Sequence, residues 1–525
     1  MEQVKLYDTT LRDGMGGPGM SLSVGEKLRV VRALDELGVH FIEAGFPSSN
    51  PKEAELFELL AELELGQATI CAFGMTRCRD RRAEDDEALA VVVECFAPVV
   101  CLVGKSWGLH LEKVIKVSPE ENLAMIADSI AFCRQRGKRA VFDAEHFFDG
   151  YRDDPGYALE CVRAAAEAGA ENVTLCDTNG GSLPNFVGEA TGAVVAALGE
   201  GAEVGIHTHN DAECAVANSL AAVEAGARLV QGTINGYGER CGNANLASIL
   251  PALQLKMGFG VVAPERLATL TQTSHYLDEL CNMTPDPDRA YVGRNSFAHK
   301  AGMHAAGVEA DASTFEHLDP EAVGNQRQIL ASELAGKATI RTQAAQAGLE
   351  IDEATAARAV ERLKQREHGG YHYEAAPASF ELLLRREAGS YEPLFELESF
   401  RVIVEKHAGG EVETEATIKV RCGGERFVRV AEGNGPVNAL DKALRSAIAD
   451  RHPHLADIEL TNYKVHILDE SHGTGAVTRV LLDSSDHERE WGTIGVSENI
   501  IEASWEALVD SLEYAFQPRD GDSAK

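Results

Sequence analysis

Between Lys5 and Asn235 the chain alternates short apolar runs with amphipathic runs rich in Ala and Glu. The apolar runs are KLYDTTL, FIEAGFP, TICAFG, VVCLVG, AVFDAEH, NVTLCDT, EVGIHTH and LVQGTIN. Each is near-continuously apolar, the pattern of parallel strands buried on both faces. Between them, stretches such as EKLRVVRALDELG and ALECVRAAAEAGA carry apolar residues at helical spacing and close on a glycine before the next strand. Eight strand–helix units in about 250 residues match the size of a TIM (β/α)8 barrel. The alternative is a doubly wound open sheet. It is disfavoured because no GxGxxG follows the first strand.

The period then changes twice. Residues 1–262 read as the barrel, and 263–395 as a helical connector with turns at TPDPD and around Glu367 to Gly370. Residues 396–517 read as an α+β domain built from two similar units. FRVIVEK, EATIKVR and RFVRVAEG precede the helix PVNALDKALRSAIAD; IELTNYKVHIL, AVTRVLLD and EREWGTIGV precede NIIEASWEALVDSLEYAF. Such a repeat with few clustered catalytic groups points to binding or assembly. Residues 518–525 read as a loose tail.

Composition narrows the partners. With 49 Lys and Arg against 83 Asp and Glu, the formal net charge is −34. So acidic a surface repels phosphate backbones and anionic membranes, which excludes general nucleic-acid binding and membrane docking. No apolar stretch reaches the roughly 18 residues needed to span a bilayer. Eleven cysteines without a CxxC pair read as reduced thiols of a cytoplasmic protein.

In a TIM barrel the chemistry sits at the C-terminal ends of the strands. The polar residues fall there: Arg12 and Asp13 after the first strand, Glu43 in the second, Glu145 and His146 ending the fifth. Asp177, Thr178 and Asn179 end the sixth, His207 and His209 the seventh, and Asn235 the eighth. Residues i and i+2 of a strand share a face, so His207 and His209 can grip one ion together. With Asp13 as a third ligand, the set suits a catalytic divalent ion with open positions. The competing reading makes HxH a pair of rim or core histidines. Arg12 can pair with a carboxylate or polarise an oxygen. His299 and His304, in the glycine-containing turn HKAGMHAAG, offer a general acid or base. Three glycines among Glu239, Arg240 and Asn243 suggest a tight loop where backbone approaches a ligand.

DTTLRDG, HTHND and GERCGN together resemble the DRE-TIM metallolyases, the family of isopropylmalate, homocitrate and citramalate synthases. EGNGPVNALDKAL and WGTIGVSENIIEAS resemble the allosteric domain of that family, so the likeness covers nearly the whole chain. FGMTR, GKSWGLHL, FDAEHFFDGY and LCDTNGG are most similar to its citramalate branch. The resemblance implies a Claisen condensation of acetyl-CoA with a small 2-keto acid, here pyruvate, and hydrolysis of the thioester, opening a threonine-independent route to isoleucine. It implies Asp13, His207, His209 and Asn243 as ligands of a divalent metal ion (Zn²⁺, Mn²⁺, Co²⁺ or Mg²⁺). It implies Arg12 on the keto oxygen, Thr178 on the keto-acid carboxylate, Glu145 as a supporting acid, and His304 as the base acting on acetyl-CoA. A homodimer with isoleucine as effector is implied as well.

Three other readings compete. They are 2-oxoisovalerate as acceptor (an isopropylmalate synthase), a carbon–carbon lyase, and a non-catalytic amino-acid sensor on a barrel that has lost its activity. The C-terminal domain disfavours the lyase, and the intact polar set disfavours the sensor. Three positions depart from the family pattern: Gly16 where Gln is usual, Ala212 and Glu213 after HND, and Phe315 where a Tyr often partners the connector histidine.

Overall fold

The computed structural model describes residues 2–199, 201–300, 302–330, 336–449, 451–468, 475–487 and 489–517. The expected loose tail, 518–525, lies outside them. Two compact units divide the chain: Met1–Phe297 with Leu318–Gln326, and Ala298–His317 with Arg327–Lys525.

In the first unit eight parallel strands close into a barrel in sequence order: β1 (Lys5–Asp8), β2 (Phe41–Gly45), β3 (Thr69–Met75), β4 (Val99–Lys105), β5 (Arg139–Glu145), β6 (Asn172–Asp177), β7 (Glu203–Thr208) and β8 (Leu229–Gly232). Closure comes from β1 pairing with β8, Lys5 beside Leu229 through Asp8 beside Gly232. Every expected apolar run is a strand, but β1 and β8 are shorter than their runs. The chain turns at Thr9, and Asn235 lies in a 3₁₀ turn, Ile234–Gly236, beyond β8. The barrel interior is packed with Tyr7, Phe41, Cys71, Val99, Cys101, Val141 and Leu229.

The helices follow from their caps and spacing. Val24–Leu37 starts on a reciprocal capping box between Ser23 and Glu26 and stops at Gly38, whose φ is +93°. Val30, Val31, Leu34 and Leu37 form its buried stripe. Each such side chain removed from water contributes about 1.5–3 kcal/mol, so a charge at Leu34 would detach the helix from the barrel.

The second unit contains a three-stranded antiparallel sheet twice: β11 (Glu396–Lys406), β12 (Val412–Cys422) and β13 (Glu425–Gly433), then β14 (Glu459–Ile467), β15 (Thr478–Ser485) and β16 (Glu490–Ser497). Ala416, Ile418 and Val420 of β12 cluster with Ala439, Leu440, Ala443 and Leu444 of the helix Pro436–Ile448. Val480 and Leu482 of β15 do the same with Ala503, Ala507 and Leu508 of the helix Ile500–Ala515. The segment expected to be helical also holds a short parallel pair, β9 (Ala298–His299) beside β10 (Gln328–Ile329). HKAGMHAAG is not a turn throughout: Gly302–Ala310 is helical, Ala, Met and Glu outweighing its two glycines.

Candidate metal centre

Past β1, Arg12 N and Gly14 N both donate to Thr9 O, folding the chain back over the barrel mouth. Asp8 fixes this turn by accepting from Thr10 N and Thr10 Oγ1, each at 2.9 Å. Burial pushes the Asp8 carboxyl up to about 7, against these hydrogen bonds. His207 is the penultimate residue of β7, and His209 follows its end, where a backbone bridge pairs it with Asn243. Asp13, His207 and His209 bring one ligand atom each to within 4.8 Å of one another. The two imidazole Nε2 atoms face each other at 3.3 Å, and Asp13 Oδ2 lies 3.2 Å from His207 Nε2 and 3.5 Å from His209 Nε2.

This donor set fits a divalent cation. Asp13 Oδ2 is buried and, although close to both imidazoles, makes no hydrogen bond of acceptable geometry. Asn243 Nδ2 donates to Tyr237 O at 3.0 Å, leaving its buried Oδ1 without a partner. Buried acceptors left unsatisfied are costly, and a cation relieves that cost. Burial would raise the Asp13 carboxyl, but Arg12 and the two imidazoles hold it well below the usual range. Burial would lower the His207 imidazole, yet its contact with Asp13 holds it above the ordinary value. His209 is pushed down to about 4 by burial and by His207.

Arg12 stands beside this group and is held on three sides. Its Nε donates to Glu43 Oε2, its Nη1 lies 3.1 Å from Asp13 Oδ1, and its guanidinium carbon sits 4.1 Å above the Phe73 ring. Glu43 Oε1 in turn accepts from Tyr7 Oη at 2.8 Å.

The other expected residues have partners of their own. Glu145 pairs with Lys105 across β4 and β5. Thr178 Oγ1 accepts from His146 N at 2.9 Å, and Thr178 O accepts from Arg240 Nη2 at 2.8 Å. Arg240 also grips both carboxylate oxygens of Asp211, tying together the loops that follow β6, β7 and β8. His304 belongs to the second unit, where its exposed ring stacks on Phe315 with centroids 4.3 Å apart. An aromatic partner is therefore present, without a hydroxyl. His299 is buried and paired with Glu316 at 3.0 Å. At Gly16 a Cβ would fall 2.8 Å from Glu239 Cγ, so the loops after β1 and β8 interlock where the family pattern has Gln. Glu213 takes a left-handed backbone, φ +57°.

Sequence reasoning missed Gln231, whose amide oxygen lies 3.0 Å from His207 Nδ1. The available signal was a single amide inside the otherwise apolar β8. His146, read only as a polar residue ending the fifth strand, is held at φ +57° with Nδ1 3.2 Å from Asp149 Oδ2.

Known families match three successive stretches of the chain. A family described as HMGL-like matches residues 3–277, one described as homocitrate synthase post-HMGL domain-like matches 291–369, and the LeuA allosteric (dimerisation) domain matches 374–516. An (R)-citramalate synthase of Synechocystis sp. is 48% identical over 98% of this chain and 96% of its own length. The Aquifex aeolicus (R)-citramalate synthase is 45% identical over 98% of both chains. A 2-isopropylmalate synthase of Methanocaldococcus jannaschii is 32% identical over 99% of this chain and 96% of its own.

Proposed function

The chain belongs to the (R)-citramalate synthase family, and from that premise we propose that it joins the acetyl group of acetyl-CoA to pyruvate and hydrolyses the thioester, releasing (R)-citramalate and CoA. The observation that carries the chemistry is the convergence of Asp13 Oδ2 and two imidazole Nε2 atoms beside a guanidinium. Pyruvate as the acceptor is supported by the names of the relatives, 41–48% identical over nearly the whole chain.

In this reading Asp13, His207, His209 and the free Asn243 Oδ1 hold a divalent metal ion. When bound, such an ion polarises the keto carbonyl as a Lewis acid. Zn²⁺, Mn²⁺, Co²⁺ and Mg²⁺ are all compatible with a His, His, Asp set. Arg12 donates to the keto oxygen and stabilises the alkoxide that forms on it. Glu43 and Phe73 keep that guanidinium from swinging away. Thr178 already accepts from His146 N, so its own hydroxyl hydrogen is free to bind the keto-acid carboxylate. Glu145, neutralised by Lys105, supports the substrate from β5. His304 takes the methyl proton of acetyl-CoA.

We assign residues 1–262 to catalysis, 263–395 to the connector and 396–517 to regulation and dimerisation. A homodimer is supported by the match to the LeuA dimerisation domain and by exposed apolar residues on the sheets of the second unit, including Ile403, Val428 and Val430. The same match supports feedback by isoleucine, in keeping with a first step toward that amino acid, and removal of residues beyond 395 should abolish it. A cytoplasmic setting accords with eleven unpaired thiols. Among the described residues no helix is long and apolar enough to cross a membrane.

The identity of the product tests the reading. Protein incubated with acetyl-CoA, pyruvate and a divalent metal should yield citramalate of the R configuration on chiral chromatography. Absence of citramalate from metal-loaded protein would overturn it.

A further inference from the structure

Inside the barrel, side chains of β6, β7 and β8 form a hydrogen-bonded line from His207 toward the opposite end of the strands. His207 Nδ1 meets Gln231 Oε1 at 3.0 Å, in the register that sets His207 beside Gln231. Gln231 Nε2 donates to Asp143 Oδ1 at 2.8 Å and to Thr174 Oγ1 at 3.2 Å. Thr174 Oγ1 donates to Asn172 Oδ1 at 2.8 Å, and Asn172 Nδ2 donates to Glu203 Oε1 at 3.3 Å. Glu203 Oε2 accepts from Lys5 Nζ at 2.9 Å.

The direction of each bond follows from the far end. The Glu203 carboxylate, paired with Lys5, only accepts, so Asn172 must turn its NH₂ toward it. Asn172 Oδ1 then faces Thr174 and takes the hydroxyl's one hydrogen. Thr174 Oγ1 can therefore only accept from Gln231, and so does the Asp143 carboxylate. Both hydrogens of the Gln231 amide are used, and its oxygen is left for His207. His207 must then carry its hydrogen on Nδ1, which leaves Nε2 a bare lone pair aimed at Asp13 and His209.

We propose that Gln231, Thr174 and Asn172 are positioning residues that lock His207 into its metal-binding tautomer. This rests on the reading of Asp13, His207 and His209 as metal ligands. Buried partners that hold the second nitrogen of a ligand histidine fix the ring and its tautomer. Gln231 and Thr174 are fully buried, so the links they make do not exchange their partners with solvent. Gly205, beside Thr174 in the register of β6 and β7, keeps the space open. A Cβ there would fall 2.6 Å from Thr174 Oγ1 and 2.7 Å from Asn172 Oδ1. The glycine two residues before His207 thus has a defined task.

The test compares Gln231→Met, Thr174→Val and His207→Ala with the parent protein. Zn²⁺ affinity is read by competition with a chromophoric chelator, and the His207 tautomer by imidazole ¹⁵N resonances after metal removal. Gln231→Met should bind Zn²⁺ about 10–100-fold more weakly, the usual cost of losing such a partner. Thr174→Val, nearly isosteric, should weaken it in the same direction and populate the second tautomer, which a purely structural role would leave alone. Should Gln231→Met fail to fold, Thr174→Val carries the test. Parent-like affinity and tautomer in the folded variants, with Zn²⁺ lost in His207→Ala, would overturn the proposal and leave the metal site standing. Parent-like Zn²⁺ binding by His207→Ala would instead overturn the site itself.

Discussion

Gly238 lies directly against Asn243: at its φ of +152° a Cβ would fall 2.2 Å from Asn243 Nδ2. The Nδ2 group donates to Tyr237 O, so displacing it breaks that bond. Gly238→Ala should therefore dislodge the Asn243 amide, whose buried oxygen has no partner and which we propose as a metal ligand. Metal affinity measured by chelator competition should drop about tenfold, at the low end for loss of a supporting group. Unchanged affinity would remove Asn243 from the ligand set.

Protons and metal compete for His207 Nε2. Burial alone would favour the neutral imidazole, but Asp13 raises its proton affinity above the ordinary value in the metal-free protein. A raised value means the proton is held up to a higher pH and shed only above it. Metal affinity should thus be full at alkaline pH and fall as pH drops through the raised value, by about tenfold per unit below it for one competing proton. Titrations at several pH values check the slope; affinity independent of pH between 6 and 8, roughly the range of histidine titration, would contradict this coupling.

Arg12 is clamped between Glu43, Asp13 and Phe73, so its fork points in one direction. Arg12→Lys keeps the charge but loses the planar fork and the stacking. We expect kcat to fall about 10²–10³-fold, as when a donor to a developing oxyanion is removed. Metal affinity should stay near the parent value, which separates loss of the donor from loss of the site.

His304 and Phe315 are stacked in the second unit. His304→Gln should lower turnover about 10²–10⁴-fold, the range for removal of a general base, with metal content unchanged. In mixtures with parent protein, activity that does not simply follow the parent fraction would show His304 acting on its partner's barrel. A variant that turns over like the parent would remove His304 from the chemistry.

Much of this was legible in the sequence because the signals were local. Eight apolar runs became eight strands, and the spacing of His207 and His209 placed both on one face. Contacts that needed the closed barrel were not legible. Gln231 and His207 are adjacent only through the register of β7 and β8, and Lys105 reaches Glu145 only because β4 lies beside β5. Nothing local marks Gly205 or Gly238 as space left for a neighbour's amide. Arg12 was visible as a candidate guanidinium after the first strand, but its clamp reaches residues of β2 and β3. At Gly302–Ala310 the glycines suggested a turn, and the Ala-rich surroundings kept a helix.

Free CoA release, followed with a thiol reagent, tests the central claim most directly. Metal-loaded protein would be mixed with acetyl-CoA and either pyruvate or 2-oxoisovalerate, each with and without chelator. The account predicts chelator-sensitive release with pyruvate far above that with 2-oxoisovalerate. The two acceptors differ by two methyl groups, worth about 1–3 kcal/mol each in a fitted pocket, so the difference should be at least tenfold. Faster release with 2-oxoisovalerate, or release indifferent to chelator, would contradict it.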